Sequence, residues 1–289
     1  MTFVSVTNNN IPLSSGETIF YREAGNPVNP TVLLLHGYPT SSHQFRNLIP
    51  ILADKYHVLA PDLPGFGFTT VPEGYVYTFD NLAISIGSWL AKIPNSPSKY
   101  AIYIFDYGSP VGLRLALKNP SAITAIISQN GNAYEGGLTP AWAPIQKYWA
   151  SGSKEDREGI RMLTQASTTK WQYVEGAQDP KTIAPETYTL DQALMDRPGN
   201  AEIQLDLFYD YRNNLTLYPE VHEYFRKNQP PLLATWGSLD PFFTNPGLFK
   251  QDLPKAEVHE LKAGHFALES NLTEIAPLIL DFLGRNVSK

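Results

Sequence analysis

Four short apolar runs lie in the first 130 residues, and none of them shows the apolar–polar alternation of a half-buried strand. They are residues 31–35 (TVLLL), 56–60 (YHVLA), 100–105 (YAIYIF) and 122–128 (AITAIIS). A strand with one face in water alternates, whereas an unbroken apolar strand is buried on both faces. Two intervening stretches, 79–90 and 108–118, carry apolar residues at helical spacing. Strands of this kind alternating with helices predict an α/β chain with a mostly parallel sheet, flanked by helices on both faces.

From 134 to 226 the texture changes. Strand-like runs stop, and helical, polar and aromatic stretches take over, broken by Pro140, Pro144, Pro180, Pro185 and Pro198. Strand-like runs resume at 231–236 (PLLATW) and 256–261 (AEVHEL), and 277–283 reads as a closing helix. The expected organisation is therefore one core, residues 1–133 and 227–289, interrupted by a helical cap at 134–226. No internal repeat or low-complexity tract breaks this pattern. The 289 residues are 43% hydrophobic and 17% charged, enough to bury a large core.

Several function classes drop out on composition. The net charge is -6 and no basic stripe is present, so nucleic acid is not an expected partner. There is no cysteine, hence no disulfide framework, thiolate nucleophile or cysteine-bound metal. No cofactor or metal is implied. No apolar run reaches about 18 residues, so no membrane span is expected. The first residues, MTFVSVTNNN, have neither a basic nor an apolar leader region, which makes a cytoplasmic location the expectation. Asn214, Asn271 and Asn286 sit in glycosylation sequons that read as chance matches. The expected partner is a small, mostly apolar substrate. Aromatics are 12% of the chain, which suits an apolar pocket and equally an aromatic core. The oligomeric state is open.

The chemistry concentrates where strands end. Asp106-Tyr107-Gly108-Ser109 joins the YAIYIF strand directly to a helix. A sharp strand-to-helix turn exposes its central side chain at the edge of the sheet. A carboxylate there can attack an electrophilic carbon and leave an ester. Taken alone, Asp106 is equally a helix N-cap. Asp240, in Trp236-Gly237-Ser238-Leu239-Asp240-Pro241, and His265, in Ala263-Gly264-His265-Phe266, shift that balance. Both follow expected strands, and the order nucleophile, acid, histidine is that of one large class of hydrolases. His265 would activate water against the ester, and Asp240 would orient the imidazole. His36-Gly37-Tyr38 follows the first apolar strand; the amides of Tyr38 and Tyr107 would meet the developing negative charge. His36 reads as a structural strand-end histidine and Asp62 as a turn former. His43, His57, His222 and His259 lack motif context and read as surface or structural.

These stretches resemble the α/β-hydrolase superfamily over nearly the whole chain. LLLHGYPTSSHQFRNLIPILA, VLAPDLPGFG, FDYGSPVGLRLALKNP, WGSLDPFF and AGHFALE are similar to the branch holding epoxide hydrolases, haloalkane dehalogenases and fluoroacetate dehalogenases. The resemblance implies the α/β-hydrolase fold, an aspartate nucleophile, and a site between core and cap. It also implies that cap tyrosines hold the epoxide oxygen. Tyr211, in Tyr211-Arg212, and Tyr148 match those positions. Trp149 is implied as a halide donor, and Phe242, with Phe243, Trp142 and Trp171, as pocket wall or core packing.

The chain also departs from its look-alikes. Tyr107 stands where haloalkane dehalogenases carry tryptophan and fluoroacetate dehalogenases arginine. Tyr38 stands where many dehalogenases carry asparagine. Ile104 stands where the turn usually has a small residue. The expectation is a hydrolase that opens epoxides to diols through an Asp106 ester. The alternatives are a haloalkane or haloacid dehalogenase on the same residues, and a non-catalytic small-molecule-binding protein that kept the fold.

Overall fold

The computed structural model describes residues 4–287. Among the described residues, eight strands form one sheet. They are β1 (Thr7–Pro12), β2 (Thr18–Ala24), β3 (Thr31–Leu35), β4 (His57–Pro61), β5 (Tyr100–Phe105), β6 (Ile123–Gln129), β7 (Leu232–Gly237) and β8 (Glu257–Leu261). Their order is β1-β2-β4-β3-β5-β6-β7-β8. The strands from β4 to β8 in that order pair in parallel; β2 runs antiparallel to both β1 and β4.

Six strands fall within one residue of their expected positions. The β1–β2 hairpin was not expected. The reason is visible in its first strand, TNNNIP, an edge strand with exposed and half-buried residues that carries no apolar signature.

The unbroken apolar runs have the predicted cause. Side chains alternate across a strand. Leu33, Leu35, Ile102 and Ile104 enter one hydrophobic core, and Val32, Leu34, Ala101, Tyr103 and Phe105 enter the other. Helix α1 (Leu48–Leu52) lines the second core through Leu48, Ile49 and Leu52. Helices α2 (Phe79–Lys92) and α3 (Gly108–Lys118) cover the first through Leu82, Ile86, Trp89, Val111 and Leu115. Each such fully buried side chain contributes roughly 2 kcal/mol.

Between β6 and β7 the chain makes only helices and turns: α4 (Ala143–Ser151), α5 (Lys154–Gly159), α6 (Ala166–Val174), α7 (Pro185–Met195), α8 (Asn200–Asp210) and α9 (Arg212–Asn228). The prolines noted in the sequence partly open these helices rather than break them. Pro144 and Pro185 occupy the first turns of α4 and α7, where the missing N–H costs nothing. After β8 come α10 (Ala267–Ser270) and α11 (Leu272–Asn286). Helix α11 starts five residues before the expected closing helix and carries Pro277 inside it. Ile275, Ile279 and Phe282, packed on the second core, hold it together across the lost hydrogen bond. Among the described residues no helix is long and apolar enough to cross a membrane.

Candidate active site

Asp106 sits at the tip of β5 with φ of 46°, a left-handed conformation that a non-glycine residue adopts only when its surroundings impose it. It does not cap α3: Tyr107 is the cap residue, without a side-chain cap bond. Instead Asp106 Oδ1 accepts the Tyr38 amide at 2.6 Å, and the Tyr107 amide also donates to the carboxylate. Burial raises the carboxyl to about 6, against the opposing pull of His265 and the two amides. The bulk of Ile104, two residues upstream, is taken up by α3. Gly112 faces it so closely that an added Cβ would come within 2.6 Å of Ile104 Cγ2.

The other strand ends deliver the rest. Asp240 follows β7, and its Oδ2 accepts His265 Nδ1 at 2.8 Å. Its Oδ1 accepts the Phe242 amide at 2.7 Å. His265 follows β8 with its side chain buried, and Nε2 stands 3.8 Å from Asp106 Oδ2. Burial alone would lower the imidazole; the adjacent Asp240 carboxylate outweighs it, so the net shift is upward. Rings of Phe105, Phe242 and Phe243 lie 4.7, 5.2 and 5.9 Å from the imidazole and fix its plane.

Sequence reading missed Asn130. It follows β6 with φ of 49°, and its Nδ2 donates to Asp240 Oδ2 at 2.7 Å while its Oδ1 accepts the Gly237 amide at 2.9 Å. The signal was present: Asn130-Gly131 is a turn pair at a strand end, where the other site residues were found.

A narrow cavity of about 40 Å³ opens above Asp106. Tyr38, Tyr107, Trp142, Ile145, Phe208 and Phe242 line it, together with Ala141, Leu163 and Gln172. So Tyr38, Tyr107, Phe242 and Asp106 share one space. Three expected residues stand elsewhere. The Tyr148 hydroxyl accepts from Arg157 Nη1 at 3.2 Å, inside an ion-pair cluster with Glu202 and Asp206. The Trp149 indole N–H is spent on the Phe208 carbonyl at 2.6 Å. Tyr211 packs on the wall from outside, its ring 4.5 Å from Trp142 and 5.9 Å from Tyr107, with its hydroxyl beside that of Tyr218 and within reach of the Asp106 charge. None of Tyr148, Trp149 and Tyr211 is among the residues that line the cavity, and of the three Tyr211 packs directly on its wall.

His36 is buried between the Gly37 carbonyl and the Leu63 amide, at 3.0 and 2.9 Å. Asp62 accepts the Ser42 and Phe68 amides at 2.7 and 2.8 Å, which is turn-forming work. His57 is buried against Glu23 at 2.8 Å. Among the described residues, no three His, Asp or Glu side chains are gathered as a metal cage.

A protein-family model described as alpha/beta hydrolase fold matches residues 30–272. An uncharacterized hydrolase of Saccharomyces cerevisiae, YNR064C, is 46% identical, covering 96% of this chain and 97% of that one. A haloalkane dehalogenase of Mycobacterium marinum is 36% identical over 38% of this chain and 37% of its own. The solved structure of epoxide hydrolase VrEH1 from Vigna radiata superposes with a TM-score of 0.75 at 21% identity, covering 97% of this chain and 98% of that one. Sheet order, strand-end residues and the family match agree, and the chain belongs to the α/β-hydrolase superfamily.

Proposed function

We propose that this chain is a hydrolase that opens epoxides to diols through an ester on Asp106, under a helical cap formed by residues 134–226. The carrying observation is the unequal fate of the two Asp106 oxygens. Oδ1 accepts the Tyr38 amide at 2.6 Å, while Oδ2 stands 3.8 Å from His265 Nε2. A carboxylate pinned by one oxygen presents the other as nucleophile. Ser109 is no rival, because its buried hydroxyl donates to the Asn132 carbonyl at 2.7 Å.

In the first step Oδ2 attacks a ring carbon, the C–O bond breaks with its electron pair on oxygen, and that alkoxide takes a proton from water. In the second, His265 takes a proton from a water that attacks the ester carbonyl carbon. Asp240, held by Asn130 and the Phe242 amide, stabilises the imidazolium. Negative charge collects on Oδ1, where the Tyr38 and Tyr107 amides meet it. Collapse releases the diol, and His265 passes its proton on to solvent. The substrate's ring substituents are apolar, to match Ile145, Leu163, Phe208 and Phe242.

A dehalogenase reading has the partial match to a haloalkane dehalogenase in its favour. Against it, the indole N–H groups of Trp142 and Trp149 are both spent on carbonyls, at 3.0 and 2.6 Å. The test is a single turnover in heavy-oxygen water with styrene oxide, 1,2-epoxyhexane and 1-bromohexane. The proposed route puts light oxygen from Asp106 into the first diol. Label from water in that first product defeats the nucleophile assignment. Bromide release without diol formation favours the dehalogenase. No turnover of any probe favours the binding protein.

A further inference from the structure

Neither expected tyrosine lines the cavity, so a group that does line it is sought to meet the oxygen of an opening ring. Its polar side chains can be taken in turn. Tyr38 donates its hydroxyl to the Leu163 carbonyl at 2.7 Å. Trp142 donates to the Phe242 carbonyl. The Tyr107 hydroxyl has no partner but is shut into the core, with no surface open to the cavity. Asp106 is the nucleophile. That leaves Gln172, 3% exposed on α6, which lines the cavity and whose side chain makes no hydrogen bond among the described residues.

Helix α6 is fixed on both sides of this residue. Trp171 meets Phe242 edge-on at 5.8 Å, and the Tyr173 ring stacks on Phe266 at 3.8 Å and 14°. Just beyond the helix, Gly176 lies against Gly264: a Cβ added at Gly176 would come within 2.7 Å of the Gly264 Cα. Gln178 Nε2 then donates to the Lys262 carbonyl at 3.0 Å. The helix is clamped to the loop that carries His265, with the unbonded Gln172 side chain among the residues of the cavity wall.

We infer that Gln172 is a catalytic residue whose side-chain N–H groups hold the epoxide oxygen as the ring opens. This rests on the epoxide-opening reading. A carboxamide is too weak an acid to hand over its proton, so it acts as a fixed dipole on the forming alkoxide, which water protonates. The assignment concerns the ester-forming step alone.

The test measures both steps separately for styrene oxide, by rapid quench and by decay of the isolated ester, in wild type, Gln172→Leu and Gln172→Glu at pH 8. Loss of one preorganised donor is expected to slow ester formation about 100-fold. Ester decay should stay within a factor of two or three, about 0.5 kcal/mol of barrier. Gln172→Glu keeps the shape and loses the donor, so it should slow ester formation at least as much and covers the case of a Leu variant that folds poorly. Ester formation at the wild-type rate overturns the assignment. So does slowing of ester decay alone, which would make Gln172 a holder of the hydrolytic water. Failure of the underlying reading looks different: no ester on Asp106 forms even in wild type.

Discussion

His265 Nε2 lies 3.8 Å from Asp106 Oδ2, too far for a hydrogen bond and close enough for a water to touch both. In the proposed route this places the imidazole for the second step, with no bonding role in the first. Replacing His265 by Gln should leave ester formation largely intact and stall its hydrolysis by three orders of magnitude or more, on the order of what triad removal costs. Intact-protein mass spectrometry after exposure to styrene oxide should show one adduct, which peptide mapping places on Asp106. Full turnover by the variant would exclude His265 as the base.

Burial holds the Asp106 carboxyl at about 6, and it must be ionised to attack. His265, shifted upward, must be neutral to take a proton from water. Both requirements fail as pH falls. The rate of ester formation should therefore drop with decreasing pH through about 6, and ester hydrolysis should also show an acid limb only. Step-resolved rates between pH 5 and 9 check this; a basic limb in either step would contradict it.

Asn130 bridges Asp240 and the Gly237 backbone from a left-handed residue. Asn130→Gly keeps that backbone conformation accessible and deletes only the side chain. Ester hydrolysis should slow about tenfold, for loss of one hydrogen bond to a charged group, with ester formation little changed. A larger effect on ester formation would assign Asn130 to the nucleophile rather than to the acid.

Gly112 and Ile104 share one space at the base of the turn. Gly112→Ala should destabilise the fold by about 1–3 kcal/mol through overpacking. In an Ile104→Ala background the same change should cost much less. Urea midpoints of the four proteins close the cycle, and additive costs would refute the contact.

Asp191, buried beside Tyr173 and Thr40, is pushed up to about 7, chiefly by burial. The unfolded chain ionises this group near the ordinary 3.8, so the folded state is favoured relative to it at low pH and loses that advantage as pH rises from about 4 to about 7. Asp191→Asn keeps an acceptor for the Tyr173 hydroxyl. It should raise the melting temperature by several degrees at pH 8 and change it little at pH 4. Equal shifts at both pH values would show that the folded and unfolded chains titrate Asp191 alike.

The parts of this protein legible in its sequence are those set by short-range physics. Unbroken apolar strands announce their double burial, and Asp106, Asp240 and His265 each come within a few residues of a strand end, so chain order alone nearly assembles them. The amides of Tyr38 and Tyr107 came with the same turns. What stayed hidden depends on how helices face one another. Tyr148, Trp149 and Tyr211 sit on helical stretches where a rotation of some tens of degrees decides between cavity and interior, and Gln172 has no local mark at all. The TNNNIP strand is invisible for a related reason: it pairs by backbone at a sheet edge, which asks little of its side chains.

The contact of Gly176 with Gly264 gives the helical layer a fixed edge and a free one. Along the fixed edge two backbones touch, and any side chain at either glycine would wedge α6 off the loop of His265. The opposite margin, from Ala141 to Leu163, meets the core at the cavity wall through side-chain packing and single hydrogen bonds, Trp142 to the Phe242 carbonyl and Tyr38 to the Leu163 carbonyl. Molecules larger than the 40 Å³ cavity must therefore be admitted by yielding on that side. Variation in what this scaffold accepts is open to α4 and α8 and closed to α6.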